Sequence, residues 1–254
     1  MIRLKSQEEI NLIRQGGKVL ASVLRQVVAE TKAGKTTLEL DALAERLILE
    51  AGGEPSFKGY GGPKNPFPAT LCTSVNSELV HGIPNSYILR DGDIISLDVG
   101  MRYPKKTGLY TDMATTVIIG KVNPIVEKLV KVTKKSLQLW IKLIKPGEQL
   151  NYIGGKVQDY IESEGFGVVR DLVGHGVGHE VHEEPQIPNY FMQGQRVELK
   201  EGMVLAIEPM VSLGDYHIST LDDDWTVVMS DNSLCSHEEH TIVVTKRGCE
   251  VLTE

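Results

Sequence analysis

The chain has 254 residues, of which 41% are hydrophobic and 24% charged, a composition that fits a globular protein able to bury a substantial core in one large α/β domain or two small ones. Its formal net charge of −7 argues against nucleic acid as a stable partner, because phosphate contact relies on clustered lysine and arginine. No apolar run approaches the roughly 18 residues of a membrane span, the opening MIRLKSQEEI lacks the apolar region of a secretory signal, and Cys72, Cys235 and Cys249 have no paired spacing for a disulfide framework or zinc finger, so a cytoplasmic protein is expected.

Ser6 with Glu9, and Thr36 with Glu39, each read as a capping box that opens a helix. Ile10, Ile13, Leu20, Leu24 and Val27 then recur at helical spacing behind the first box, and Leu38, Leu43, Leu47 and Ile48 behind the second, as far as Gly52-Gly53. The segment GEPSFKGYGGPKNPFPAT is too broken by proline and glycine for regular structure and predicts a long loop of functional character. Strands are expected near 70–76, over 93–100 and over 115–120, the last two joined by the turn-like RYPKKTG. Two more helical stripes follow, Val126 to Ile144 and Leu150 to Ile161, with Pro146-Gly147 between them; strands return in GVGHEVH, VLAIEPMV, WTVVM and HTIVVT. Helix, helix, then strands thus occurs twice without a readable sequence repeat, which suggests two similar halves with a site on their seam. No low-complexity linker divides them, and a single domain over 1–254 is expected.

The segment GHGVGHEVHEEP, residues 174–185, places three of the chain's seven histidines within eight positions. His175 and His179 have the spacing of a zinc-binding helix, but Gly174, Gly176 and Gly178 each cost about 1 kcal/mol in a helix interior, and Val177 and Val181 favour extended backbone. The segment is read as a strand or glycine loop. Alternating side chains then keep His175, His179 and His182 from all aiming at one ion, so the remaining ligands must come from elsewhere.

Four acids stand where strands are usually apolar: Asp98 in IISLDVG, Asp112 before MATTVIIG, Glu208 after MVLAI and Glu239 before HTIVV. Each alone also fits an exposed strand end. Buried carboxylates otherwise pair, protonate or bind metal, and no equal set of arginines lies nearby in sequence. If Asp98, Asp112, His175, Glu208 and Glu239 converge, their charge of about −4 matches two divalent ions in a hydrolase site. That donor set suits Mn, Fe(II) or Co better than a closed structural zinc site, with zinc as an alternative.

Taken in order, NSELVHGIP, SLDVG, YTDMATT, GHGVGHEVHEEP, AIEPM and EEHTIVVT cover nearly the whole chain and resemble the type I methionine aminopeptidases. The resemblance implies the pita-bread α/β fold, two similar helix-helix-strand halves around a curved antiparallel sheet with a dinuclear metal site on the seam. It also implies Asp98, Asp112, His175, Glu208 and Glu239 as ligands to two divalent cations, with Asp112 and Glu239 bridging. A water activated between the cations would attack the first peptide bond, with Glu208 as general base. His182 would donate to the developing oxyanion and His81 would contact the scissile amide nitrogen, while the substrate's free α-amino group would occupy the second metal. By motif position Tyr60, Phe67, Cys72 and Trp225 are candidates for the methionine pocket, and His179 has no catalytic role. The implied substrate is the N-terminal methionine of nascent polypeptides, preferably before a small second residue. Transient ribosome association and a monomeric state complete the expectation.

The chain departs from the family pattern at several places. The Asp98–Asp112 hairpin and the GGPKNPFP loop are longer than expected, and Val181 stands where an aromatic often lines the pocket. His179 replaces a commonly basic residue. The rival readings are a pita-bread peptidase cutting Xaa-Pro bonds, a non-catalytic binding protein on the same fold, and a structural metal module with no use for His81 or His182.

Overall fold

A computed structural model describes residues 2–254. Helix α1 spans Gln7–Glu30 and α2 spans Thr37–Glu50, each opened by the expected reciprocal capping box. Their apolar faces, including Leu20, Leu24, Leu40 and Ile48, pack on Ile95, Leu97 and Val99 of a four-stranded antiparallel sheet. In that sheet the central strand Ile94–Tyr103 is flanked by Leu71–Val75 and Leu109–Ile118, and the two-residue strand Glu54–Pro55 pairs with its far end at Met101 and Arg102.

The second half repeats the scheme. Helix α3, Pro124–Leu143, begins with Asn123 as N-cap and proline in its first turn, and α4 spans Leu150–Ser163. Leu129, Trp140, Ile153 and Ile161 pack on Leu205 and Ile242 of a five-stranded antiparallel sheet. Its strand order is Cys249–Val251, His240–Val244, Val204–Ile207, Gly174–Gly176 and Glu183–Ile187. At ~1.5–3 kcal/mol for each fully buried large aliphatic side chain, these two cores are what hold each helix pair onto its sheet. Two three-stranded antiparallel sheets complete the architecture and include the short strands Glu78–Val80, Gly167–Val168, Ile218–Thr220 and Cys235–His237.

Three sequence expectations need correction. The hairpin strands are longer than expected, ten residues each, paired from Ile94↔Ile118 to Tyr103↔Leu109, so the turn shrinks to residues 104–108. Val204–Ile207 and Met210–Ser212 are separate strands in different sheets; Pro209 between them has no N–H for a ladder. The strand expected over 176–182 ends at Gly176. Beyond it the backbone N–H groups of His179 and Glu180 donate to Glu183 Oε1 at 2.5 and 3.1 Å, while Lys5 Nζ pairs with Glu183 Oε2 at 2.5 Å. A side chain, in place of a neighbouring strand, satisfies that turn.

Candidate active site

Strand register brings the acids together. Asp98 lies opposite Ala114 in the first-half hairpin, and Asp112, two residues before Ala114, is therefore its diagonal neighbour on the same face. In the second sheet His175 lies opposite Ala206, so Glu208, two residues on, shares the histidine's face. The pair Ile207↔His240 places Glu208 and Glu239 at adjoining ends of their strands. The two halves are stitched at this point: Glu239 N donates to Ala114 O at 2.9 Å, Ala114 N returns to Glu239 O at 3.4 Å, and Thr241 Oγ1 accepts from Asp112 N and donates to Asp112 O at 3.0 and 2.7 Å.

Ligand atoms of Asp112, His175 and Glu239 lie within 4.8 Å of one another, and His175 Nε2 is 3.4 Å from Glu208 Oε1. Asp98 completes the group as a buried carboxyl beside Asp112. His175 Nδ1 lies 2.9 Å from Gly176 O. A carbonyl only accepts, so Nδ1 carries the proton and Nε2 presents a lone pair to the acids, as metal-binding histidines do. Glu208 is held from behind through Trp140 Nε1, which donates to Asn189 Oδ1 at 2.8 Å, and Asn189 Nδ2, which donates to Glu208 O at 3.0 Å.

Burial and mutual repulsion oppose ionisation throughout the cluster. Burial first, then the neighbouring acids, pushes Asp98, Glu208 and Glu239 well above the carboxylate range, and burial brings Asp112 to about 7. His175 is lowered to about 3, again chiefly by burial. Asp98 Oδ1, Asp112 Oδ1 and Glu239 Oε1 are buried without any hydrogen-bond partner. Among the described residues no lysine or arginine forms an ion pair with any of the four acids. Unpaired carboxyl oxygens around an imidazole lone pair fit divalent metal, and ionising them without a cation carries an uncompensated desolvation penalty.

Above the cluster opens a cavity of about 670 Å³ whose lining includes His81, His182 and all four sequence candidates, Tyr60, Phe67, Cys72 and Trp225. Phe67 and Trp225 meet edge to face at 5.3 Å between ring centroids. Cys72, buried and paired with Asp98 across the strands, keeps its thiol raised well above the usual range through burial and the nearby acids. Val181 packs with Phe57, Phe67 and Cys72 on this apolar wall. His81 adopts φ of 57°, a left-handed conformation that non-glycine residues occupy mainly where surroundings enforce it. Burial lowers it to about 4. His182 lies 4.4 Å from His175 between ring centroids, with Nδ1 2.7 Å from Tyr60 Oη. His179 points elsewhere and meets Glu9 Oε1 at 3.0 Å.

Two contributors escaped sequence reasoning. Phe57 lines the cavity from a loop without periodicity. His237, given no role from sequence, is buried with both ring nitrogens unpartnered and Nε2 3.6 Å from Glu208 Oε2. Its position two residues before Glu239 was the available signal.

The profile of metallopeptidase family M24 matches residues 11–246. The chain is 46% identical over 253 residues to methionine aminopeptidase 1 of Bacillus subtilis, covering 100% of this chain and 99% of that protein. The crystal structure of methionine aminopeptidase from Thermotoga maritima superposes with a TM-score of 0.95 at 45% identity, covering both chains completely. The prolidase from Pyrococcus horikoshii shares the fold, with a TM-score of 0.79, but at 24% identity over 63% of its length. Fold and site together define a metal-dependent peptidase of the pita-bread class. The chain belongs to metallopeptidase family M24 and, within it, to the methionine aminopeptidases.

Proposed function

We propose that the protein removes the N-terminal methionine from nascent proteins and peptides, with a small second residue preferred, and that residues 1–254 act as one catalytic domain. The observation that carries this reading is the set of partnerless buried carboxylate oxygens at the floor of a largely apolar cavity, supported by full-length identity to methionine aminopeptidases. Asp98, Asp112, His175, Glu208 and Glu239 would hold two divalent ions, Co, Mn or Fe(II) with zinc as an alternative. Bound there, divalent cations supply Lewis acidity, making water more acidic and the scissile carbonyl more electrophilic.

The remaining work belongs to the side chains. Glu208, anchored through Asn189, takes the proton of the attacking water and returns it to the leaving amine. His182 donates a hydrogen bond to the carbonyl oxygen as negative charge develops there. His81, held neutral by burial, contacts the scissile nitrogen. Phe67, Cys72, Trp225 and Tyr60 enclose the methionine side chain. A substrate supplied by translation places the enzyme in the cytoplasm, as a monomer in transient contact with the ribosome, with no stable nucleic-acid or membrane partner.

The test is hydrolysis of Met-Ala-Ser, Leu-Ala-Ser and Met-Pro-Gly by the metal-free protein reloaded separately with Mn, Fe(II) or Co. Methionine released from the first peptide, with little leucine from the second, is the expected result. Comparable cleavage of the first two would mean a pocket widened at Val181. Cleavage confined to Met-Pro-Gly would transfer the assignment to Xaa-Pro peptidases, and no cleavage with any metal would favour the binding-protein reading.

A further inference from the structure

We propose that Tyr60 is a positioning residue: its hydroxyl holds His182 in the tautomer that carries the proton on Nε2. This inference rests on the proposed role of His182 as the donor to the carbonyl oxygen. The contact is Tyr60 Oη to His182 Nδ1 at 2.7 Å, with the two rings edge to face at 5.0 Å.

A hydrogen bond of that length can run in either direction, and the chemistry of the two groups chooses one. A phenol is a stronger donor than acceptor, and the unprotonated nitrogen of imidazole is a strong acceptor. The favoured arrangement is therefore tyrosine O–H donating to Nδ1, which leaves the ring's proton on Nε2. The reverse arrangement would leave a lone pair on Nε2, which repels a carbonyl oxygen and cannot stabilise an oxyanion.

The neighbouring ring makes the opposite choice. His175, 4.4 Å away between centroids, gives its Nδ1 proton to Gly176 O and so presents a bare Nε2. Two adjacent histidines are thus set to complementary duties by their Nδ1 partners: a carbonyl makes His175 an electron-pair donor, and a hydroxyl makes His182 a proton donor. The tyrosine is fixed well enough for this. Tyr60 N donates to Phe57 O at 2.8 Å and Tyr60 O accepts from Phe67 N at 2.7 Å, so its loop is closed on itself beneath the cavity rim. A tyrosine serving only as a pocket wall would act through its ring and have no need of the hydroxyl.

Tyr60→Phe keeps the ring and removes the hydroxyl at a position 41% exposed, where the substitution leaves folding intact. In the full chain labelled with 15N-histidine and free of metal, nitrogen-detected NMR reports the tautomer of His182, whose signals are assigned by their loss in His182→Gln. The wild type is expected to show protonated Nε2 and bare Nδ1, and Tyr60→Phe a mixture of both forms. In the metal-loaded enzyme the same variant is expected to lower kcat on Met-Ala-Ser about tenfold or more with KM changed less than about twofold. A wild-type ring protonated on Nδ1, an unchanged tautomer in Tyr60→Phe, or a rise in KM with kcat intact would each overturn the proposal. A wild type inert toward all methionine peptides, yet losing the Nε2 tautomer in Tyr60→Phe, would refute the functional reading and leave the tautomer assignment standing.

Discussion

Asp112 and Glu239 each present a buried oxygen with no partner, and each has its backbone locked across the seam. Replacing either by its amide preserves shape while removing the charge that a cation needs. Asp112→Asn and Glu239→Gln are expected to lower turnover by at least about a hundredfold and to reduce bound metal measured by elemental analysis; full activity in either would contradict the ligand assignment. The same groups make the metal-free protein pH-sensitive. Raised carboxyl pKa values contribute stability that is complete below about pH 4 and disappears as pH rises through the folded values, about 7 for Asp112 and well above the ordinary carboxylate range for Asp98, Glu208 and Glu239. His81, lowered to about 4, and His175 and His237, each lowered to about 3, work in the opposite sense, and only below their unfolded pKa near 6.5. Above pH 6.5 the histidine contribution fades and the carboxyls dominate, joined by Glu238, which burial raises to about 7. Urea denaturation in chelator should therefore show stability falling between pH 6.5 and 8.5, and saturating divalent metal should flatten that slope.

At the scale of elements, the glycines between the histidines explain both what the sequence revealed and what it hid. The strand Gly174–Gly176 is squeezed between two neighbours, and a Cβ at Gly176 would stand 2.3 Å from Glu184 O. Because that obstacle is backbone, Gly176→Ala is expected to destabilise the fold by about 1–3 kcal/mol and to displace His175, which denaturation and metal affinity measure; a neutral substitution would show that the strand can move. The helices were legible because capping boxes and a 3.6-residue apolar period are local signals. The clustered acids were legible because charge within an apolar strand is anomalous. Glycine alternation excluded a helix at 174–182 but could not reveal that Glu183 and Lys5 fold residues beyond Gly176 into a turn, since that pairing spans 178 positions. Short strands such as Glu78–Val80 and Cys235–His237 carry no period of their own, and with them the placement of His237 was lost.

Across the whole molecule, each half encloses its own helix–sheet core, and the acids lie where the two sheets meet. Among the described residues no helix is long and apolar enough to cross a membrane. Divalent metal at the seam would draw together Asp98 and Asp112 from one half and His175, Glu208 and Glu239 from the other, so binding should stabilise the folded chain against unfolding by about 2.7 kcal/mol at one hundred times Kd. A melting temperature unmoved by Mn or Co at saturating concentration would contradict that arrangement. The most direct measurement of the central claim compares methionine release from Met-Ala-Ser and from its N-acetylated form, in chelator and after restoring divalent metal. Release is expected only from the free amine and only with metal; cleavage of the acetylated peptide, or release that survives chelation, would contradict a metal-dependent aminopeptidase.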